Sequence, residues 1–395
     1  MAAIEKRSEN SYRLIVSCGY SKDGKKIAKK RTITLGPNLT EKQREKELQR
    51  QLVMFQDEVE KGTYLDAGKI TFEEFAEKWL ADHAEKQLEP KTIHQYKEML
   101  SSRVIPAIGH LKLNKIQPNH LLEFYNNLSE KGIRLDGKPG ALSSRTILYH
   151  HRLLSSIFTM AVYWQLIMNN PCTRVKPPKV ERVAAKYYDE EQTEIMLSLL
   201  ETESLKYRTM INLTVFTGIR LGELIGLTWD DINMDNACLS IKQAGQYLPG
   251  LGSFDKTTKT QSSQRLISLP PMVVNLLKEY KSWQEQEKLA LDNLWEEHNR
   301  IFTQHNGKPM FYGTPSSWFK KFIKKHNLPK ITFHQLRHTN ATLLIGQGVD
   351  VRTVSNRLGH ARTSTTTDIY THALKRPDRE AAEKLENLFN KKELP

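Results

Sequence analysis

The side chains that could hold and attack a phosphodiester lie in the second half of this sequence. Arg220 and Arg337 are candidates for a phosphate clamp, because a guanidinium donates two parallel hydrogen bonds and keeps its charge. Glu223 lies three residues after Arg220 and could hold its guanidinium, although the same pairing is common at ordinary helix ends. Gly218 and Gly222 flank Arg220 and would let backbone approach a ligand closely.

Two histidines extend this candidate site. His334 and Arg337 are spaced i, i+3, so on a helix both side chains project toward the same side. A histidine there could donate to a phosphate oxygen or exchange a proton with a nucleophile. His360 follows Gly359 in a predicted turn and could add a further phosphate contact. A single His-x-x-Arg is frequent by chance, so the prediction depends on the whole group.

A lysine and a tyrosine are candidates for the acid and the nucleophile. Lys259 lies on the predicted turn of a β-hairpin, where its ammonium could protonate a departing deoxyribose oxygen, and Lys256 is close enough to be an alternative. Tyr370 is the candidate nucleophile. A tyrosine, with an ordinary pKa of about 10, needs positive neighbours or a base to attack at neutral pH. A lone tyrosine is more often a buried core residue with a hydrogen-bonded hydroxyl.

The residues around these side chains predict a mixed α+β region. Helices are expected up to about residue 227, short strands near 238–243 and 265–269, and helices again beyond them. A last helix is predicted over 379–394, with an apolar stripe that could dock on a neighbouring copy of the chain or cap its own core. The apolar residues of this stripe are Ala381, Ala382, Leu385, Leu388 and Phe389.

The first segment is predicted to be a basic two-stranded ribbon followed by a helix. Residues 12–18 and 29–35 are rich in β-forming residues around an Asp-Gly turn, and a charged helix is expected from Thr40 to about residue 62. Residues 1–36 contain nine Lys or Arg and three Asp or Glu, a net charge of +6. Such a ribbon could enter a DNA major groove, and the alternative is a solvated hairpin. The candidate DNA contacts are Lys29, Lys30 and Arg31.

Helical spacing of aromatic and leucine side chains predicts a helical region over 70–171. Four of its polar residues are candidate phosphate contacts, although each is also an ordinary surface residue type. They are Lys91, Thr92, Arg145 and Thr146. Residues 172–185 combine prolines and basic side chains with little helical pattern, which predicts an extended linker along a phosphate backbone. The candidate contacts in this linker are Arg174, Lys176 and Lys179.

Composition limits the classes of partner and compartment. A chain of 395 residues with 38% hydrophobic side chains can form two or three folded domains. The net charge of +14 favours a polyanionic partner, though it does not separate DNA from RNA or an anionic membrane. No stretch approaches the roughly 18 apolar residues of a membrane-spanning helix, and the first ten residues lack the apolar core of a signal peptide. The three cysteines lie far apart, so we expect a reduced, cytoplasmic protein without a disulfide framework or a metal site.

Five motifs, in this order, resemble those of the tyrosine recombinases, also called lambda-integrase-like site-specific recombinases. They are Thr-Gly-x-Arg-x-x-Glu, Lys-Thr-x-x-Ser-x-Arg, His-x-Leu-Arg-His-Thr, Leu-Gly-His and Thr-Thr-x-x-Tyr-Thr-His. The resemblance extends from about residue 71 to the end, and the basic ribbon is similar to the arm-binding domain of phage and conjugative-transposon integrases. It implies a multidomain, mainly α fold: a small N-terminal β-ribbon plus helix domain, a helical core-binding domain, and a mixed α+β catalytic domain of the tyrosine recombinase and type IB topoisomerase kind.

The resemblance also implies domain boundaries and residue roles. Residues 1–65 would bind arm-type DNA, 70–171 would bind the core site, 172–185 would link, and 186–395 would carry out catalysis. Tyr370 would be the nucleophile and Glu223 would support the phosphate-activating pocket. That pocket would consist of Arg220, Lys259, His334, Arg337 and His360.

The implied reaction is strand exchange through a 3′-phosphotyrosine intermediate and a Holliday junction, with four copies of the chain on two duplexes. Bond energy is conserved in the covalent link, so the resemblance implies no ATP, metal or other cofactor. Its implied partners are double-stranded DNA at core and arm attachment sites, an excisionase and a host DNA-bending protein, in a bacterial cell.

Two other functions stay open at this point. A type IB topoisomerase-like enzyme shares this chemistry but rejoins the original strand, so strand exchange between two DNA molecules distinguishes the two enzymes. A DNA-binding regulator with the same fold would need no chemistry, and its biological output would be unchanged in a Tyr370→Phe protein.

Overall fold

The computed structural model describes residues 2–20, 23–24, 26–36, 39–60, 70–181, 185–250, 252–257, 264–360, 383 and 385–386. The chain forms two compact units, Met1–Glu181 and Arg182–Pro395. Within the described ranges, no helix is long and apolar enough to cross a membrane.

The N-terminal part of the first unit is an antiparallel sheet packed against one helix. Strands β1 (Ala2–Lys6), β2 (Ser11–Tyr20) and β3 (Lys26–Thr34) are followed by helix α1 (Glu41–Glu60). The two predicted strands and the helix are confirmed, and β1 is an additional edge strand. The five residues of β1 do not alternate between apolar and polar types, so the periodicity that predicts a strand is absent. The apolar residues buried between sheet and helix include Leu14, Val16 and Phe55.

The predicted helical region is confirmed. Its helices are α2 (Phe72–Trp79), α3 (Glu85–Gln87), α4 (Pro90–Met99), α5 (Pro118–Leu128) and α6 (Ser144–Tyr163). Two π-helical segments, Leu80–Ala84 and Leu100–Gly109, continue α2 and α4. Thr71 begins α2 with a capping box to Glu74, because its hydroxyl accepts from an N–H that has no partner in the first turn. A single core of aromatic and aliphatic side chains packs these helices together.

The residues after α6 return to this core. Asn170 accepts from the Cys172 backbone N–H at 2.9 Å and begins the short 3₁₀ helix Pro171–Arg174. Cys172 and Val175 are 2% and 7% exposed. The predicted linker over 172–185 therefore begins with residues that pack inside the first unit.

The described residues of the second unit form helices around two small antiparallel sheets. Its helices are α7 (Glu190–Leu200), α8 (Leu205–Thr217), α9 (Leu221–Gly226), α10 (Pro271–Leu291), α11 (Thr314–Lys325), α12 (Gln335–Gly346) and α13 (Val351–Leu358). One sheet contains β4 (Ile232–Asn233), β5 (Cys238–Ile241) and β8 (Arg265–Ser268), and the other contains β6 (Gln243–Leu248) and β7 (Gly252–Thr257). This arrangement confirms the predicted mixed α+β region.

The strands near the candidate lysines differ from the prediction in their pairing. The sequence predicts that β8 returns along the strand before Lys259. Among the described residues, β7 instead pairs with β6, and β8 pairs with β5. Lys256 lies on β7, opposite Ala244. The strands on either side of residues 258–263, β7 and β8, therefore belong to different sheets.

Candidate active site

Arg220 is placed by a tight junction between α8 and α9. Helix α8 ends at Thr217, and Gly218 follows with a φ of +67°, in the left-handed region that favours glycine. A Cβ at Gly218 would lie 2.5 Å from Leu358 Cδ2 and 2.6 Å from Asn340 Oδ1. Glycine is therefore required here both by the backbone and by close packing.

Glu223 accepts hydrogen bonds from both the backbone and the side chain of Arg220. The Arg220 backbone N–H donates to Glu223 Oε2 at 2.9 Å, and Arg220 Nη1 donates to Oε1 at 2.8 Å. Arg220 keeps a side-chain exposure of 38%, whereas that of Glu223 is 4%. The predicted pairing is thus present, with the carboxylate buried and the guanidinium open to a ligand.

Arg337 is buried on α12 and faces the same junction. Its Nη1 donates to the Gly218 carbonyl at 2.8 Å, and its Nη2 donates to the Leu358 carbonyl at 2.7 Å. Only 2% of Arg337 is exposed. Because a guanidinium is planar, two bonds to separate carbonyls fix both its position and its orientation.

The end of α13 brings the two arginines together. Gly359 follows α13 with a φ of +67°, and its carbonyl accepts from Arg220 Nη2 at 2.8 Å. Arg337 and Arg220 therefore bond to successive carbonyls, those of Leu358 and Gly359. Carbonyls at a helix C-terminus carry partial negative charge, which favours two cations there. His360 comes next in the chain, so the structure brings three of the predicted residues to one place.

Arg265, the last residue of the Lys-Thr-x-x-Ser-x-Arg motif, is a further member of this cluster. Its Nη1 and Nη2 donate to the two oxygens of Glu223 at 3.1 Å and 2.7 Å. Burial alone would raise the pKa of Glu223, but hydrogen bonds and charge from Arg265 and Arg220 outweigh burial and lower that pKa. Glu223 is therefore ionised at neutral pH.

Three histidine rings lie beside the arginines. His334 immediately precedes α12, and its ring meets that of His338 edge-on at a centroid distance of 5.4 Å. Burial, followed by the charges of Arg337 and Arg220, lowers the pKa of His334 and lowers that of His360 to about 4. Burial and the neighbouring His334 lower the pKa of His338 to about 4. At neutral pH these rings are uncharged, so each can donate from one nitrogen and accept at the other.

Two predicted site residues, Lys259 and Tyr370, lie outside the described residues. Lys256, the alternative acid, is described only by its backbone on β7. In the parts of the chain that the structure describes, no group of His, Cys, Asp and Glu side chains could hold a metal ion.

The three basic candidates on β3 do not share one side of the sheet. Residues paired across strands point to the same side, and Arg31 pairs with Leu14, which is buried against α1. The Arg31 guanidinium carbon lies 4.6 Å from the centre of the Phe55 ring on α1. Lys29 lies on this same side, whereas Lys30 is exposed on the open side. Of the three, Lys30 is therefore the one on the side of the sheet away from α1.

Thr92 and Thr146 line one groove of about 690 Å³ in the helical region, and Lys91 and Arg145 are exposed next to them in the sequence. The basic residues that line the groove are Arg103, Arg134 and Arg152. The candidate contacts after the 3₁₀ helix begins are all exposed, namely Arg174, Lys176 and Lys179.

Comparison with known proteins identifies related families over two parts of the chain. Residues 186–376 match the model of the phage integrase family, and residues 71–129 match the N-terminal SAM-like domain of phage integrases. A tyrosine recombinase XerC-like protein of Caldanaerobacter subterraneus subsp. tengcongensis is 26% identical, over 97% of this chain and 98% of that protein. The ICEBs1 integrase of Bacillus subtilis is 29% identical, over 76% of this chain and 78% of that protein.

Solved structures show the same fold. The Tn1549 transposon integrase, in complex with a circular intermediate DNA, has a TM-score of 0.66 at 22% identity, covering 80% of this chain and 100% of that one. A lambda integrase tetramer bound to a Holliday junction has a TM-score of 0.53 at 18% identity, covering 91% of this chain and 96% of that one.

Proposed function

Because the chain belongs to the tyrosine recombinase, or phage integrase, family, it is a site-specific recombinase that cuts and rejoins DNA, and we propose that it integrates and excises a mobile genetic element. The observation that carries this proposal is the arginine pair, Arg220 and Arg337, held on the carbonyls of Gly218, Leu358 and Gly359. Fixed cations of this kind stabilise charge on a phosphate in the transition state, because they need not reorganise during the reaction.

Tyr370 is the nucleophile of the proposed reaction. Its oxygen attacks the scissile phosphorus and forms a 3′-phosphotyrosyl bond, and the 5′ oxygen leaves as a hydroxyl. Lys259, or Lys256 in its place, supplies the proton to that oxygen. The uncharged rings of His334 and His360 donate hydrogen bonds to the phosphate oxygens. The cations Arg220 and Arg337 stabilise the negative charge that develops on those oxygens.

Strand exchange follows from the conserved bond energy. The 5′ hydroxyl of one duplex attacks the phosphotyrosine of the other, which regenerates the tyrosine and gives a Holliday junction. A second round of the same chemistry resolves the junction. Each step exchanges one phosphoester for another, so the proposed reaction requires neither ATP nor metal.

The protein binds DNA, and we divide that binding between its domains. Residues 1–65 bind arm sites through Lys30, and 70–171 bind the core site near Thr92 and Thr146. The exposed basic side chains of the segment 172–185, namely Arg174, Lys176 and Lys179, contact the DNA phosphate backbone, and residues 186–395 form the catalytic domain. An excisionase and a host DNA-bending protein would set the direction of recombination.

A homotetramer is the proposed active assembly. Helices α7, α8 and α12 border an apolar groove of about 710 Å³ that includes Leu197, Phe216 and Leu344. Acidic residues, among them Glu190 and Glu194, also line it. The tail over 379–394 of a neighbouring copy carries an apolar stripe that would cover this groove, and Leu385 of that stripe is 61% exposed.

A suicide substrate tests the reaction class: a duplex of the sequence that joins the element's two ends, nicked near the crossover site (the nicked end-joint duplex). Such a substrate loses a short fragment after cleavage and traps the covalent complex. Wild type is expected to give a protein–DNA band that survives EDTA and detergent, and Tyr370→Phe is expected to give none. Tyr280→Phe is the matched control, because the Tyr280 hydroxyl is buried without a hydrogen-bond partner among the described residues.

The outcomes separate the competing functions. A band from Tyr370→Phe would assign the nucleophile to another residue. A band from wild type without joining of two DNA molecules would favour the topoisomerase-like activity. No band from wild type on a bound attachment site would favour the DNA-binding regulator.

A further inference from the structure

Glu223 is a buried carboxylate shared by two arginines. Its Oε1 accepts from Arg220 Nη1 at 2.8 Å and from Arg265 Nη1 at 3.1 Å. Its Oε2 accepts from the Arg220 backbone N–H at 2.9 Å and from Arg265 Nη2 at 2.7 Å. The carboxylate is thus enclosed between two guanidinium groups.

The two arginines differ in what they can reach. The Arg220 side chain is 38% exposed, whereas that of Arg265 is 7% exposed. Arg265 Nε donates to the Arg357 carbonyl at 2.7 Å, and a Cβ at Gly359 would lie 2.9 Å from Arg265 Nη1. Arg265 is therefore held inside the protein against the end of α13, and Arg220 is the arginine of this pair that faces a ligand.

The charges explain why a second arginine is useful here. Arg220 and Glu223 alone would form a neutral pair, and the carboxylate would oppose any phosphate bound to Arg220. Screening is weak at a buried group, so this opposition would be strong. With Arg265 the three groups carry one net positive charge, and Arg220 provides its exposed part.

We propose that Arg265 is a positioning residue for DNA cleavage. It offsets the charge of Glu223 and holds the ends of α9 and α13 together, so that Arg220 acts on the phosphate as a full cation. This inference rests on the proposed function, in which Arg220 binds the scissile phosphate. Arg265 acts through Glu223 and Arg220 and does not touch the DNA.

The test measures single-turnover cleavage of the nicked end-joint duplex by the full-length protein. Arg265→Gln is expected to lower the cleavage rate about 100-fold, the usual effect of losing one fixed charge-stabilising group. The double variant Glu223→Gln, Arg265→Gln is expected to cleave about tenfold faster than Arg265→Gln, because no uncompensated carboxylate then faces Arg220. Affinity for the uncut duplex should stay within about threefold of wild type, since many phosphate contacts dominate it.

Arg300→Gln is the matched control. Arg300 is also buried in the second unit, but it donates to the Gly226 carbonyl and makes no contact with Glu223 in the hydrogen bonds of the described residues. Its loss should reduce stability while leaving the cleavage rate per folded molecule within about twofold of wild type. Thermal unfolding reports the folded fraction of each variant.

The rescue decides the inference. A double variant no faster than Arg265→Gln would overturn it, because loss of packing alone is not repaired by removing a second charge. If Arg265→Gln does not fold, the double variant is compared with Glu223→Gln instead. The carboxylate that Arg265 offsets is already absent from Glu223→Gln, so equal cleavage rates for these two variants support the charge role of Arg265. Failure of wild type to form the covalent complex would instead overturn the proposed function.

Discussion

Gly218→Ala should destabilise the junction that carries the arginine clamp. The φ of +67° costs an alanine about 1–2 kcal/mol. The added Cβ, at 2.5 Å from Leu358 and 2.6 Å from Asn340, adds an overpacking cost of about 1–3 kcal/mol. The free energy of unfolding should therefore fall by about 2–5 kcal/mol in total.

Two other glycines near α12 separate these costs. Gly348 has a φ of +79° with open space around it, so Gly348→Ala should cost only about 1–2 kcal/mol. Gly346 ends α12 with neither a positive φ nor a close neighbour, so Gly346→Ala should be neutral or stabilise by up to about 1 kcal/mol. Urea titrations followed by tryptophan fluorescence measure all three.

Gly218→Ala should also reduce the rate of DNA cleavage, because the Gly218 carbonyl accepts a hydrogen bond from Arg337. Cleavage of the nicked duplex should slow by at least about tenfold in Gly218→Ala, since misplacing a positioning contact is costly. Gly348→Ala should cleave at the wild-type rate per folded molecule. A Gly218→Ala protein that is no less stable than Gly348→Ala would contradict a packing cost at this junction.

Two further predictions concern the sheet and the histidines. Lys30→Gln should weaken binding to arm-type DNA in a salt titration without lowering stability. Arg31→Gln should instead lower the free energy of unfolding by about 0.5–2 kcal/mol, because it loses its contact with the Phe55 ring. The reverse pattern would place DNA on the other side of the sheet. The pKa of His338 is lowered to about 4, so the unfolded chain binds a proton more readily than the folded protein does. Stability should therefore fall as pH drops from about 6.5 to about 4, by about 1–2 kcal/mol because solvent screens this partly exposed ring. His338→Asn should flatten this fall in unfolding measured across that pH range, and an equal slope in both proteins would contradict the assignment.

The sequence alone determines the fold class, the family and the kind of chemistry. Helical spacing between Phe72 and Ala161 predicts the helical region, and the β-rich residues around Leu14 predict two of the three N-terminal strands. The motifs predict that Glu223 holds Arg220 and that Arg220 and Arg337 together form a phosphate clamp. These signals are readable because each depends on residue types within a few positions along the chain.

Tertiary structure decides how these local pieces meet. The sequence shows neither that Arg265 shares Glu223 with Arg220 nor that the carbonyls of Leu358 and Gly359 hold the two guanidinium groups. These contacts join elements far apart in the chain, and local periodicity contains no information on which elements pack together. Likewise, Arg31 faces Phe55 only because the register with β2 and the side chosen by α1 fix its direction, and both are set by the burial of the whole apolar surface.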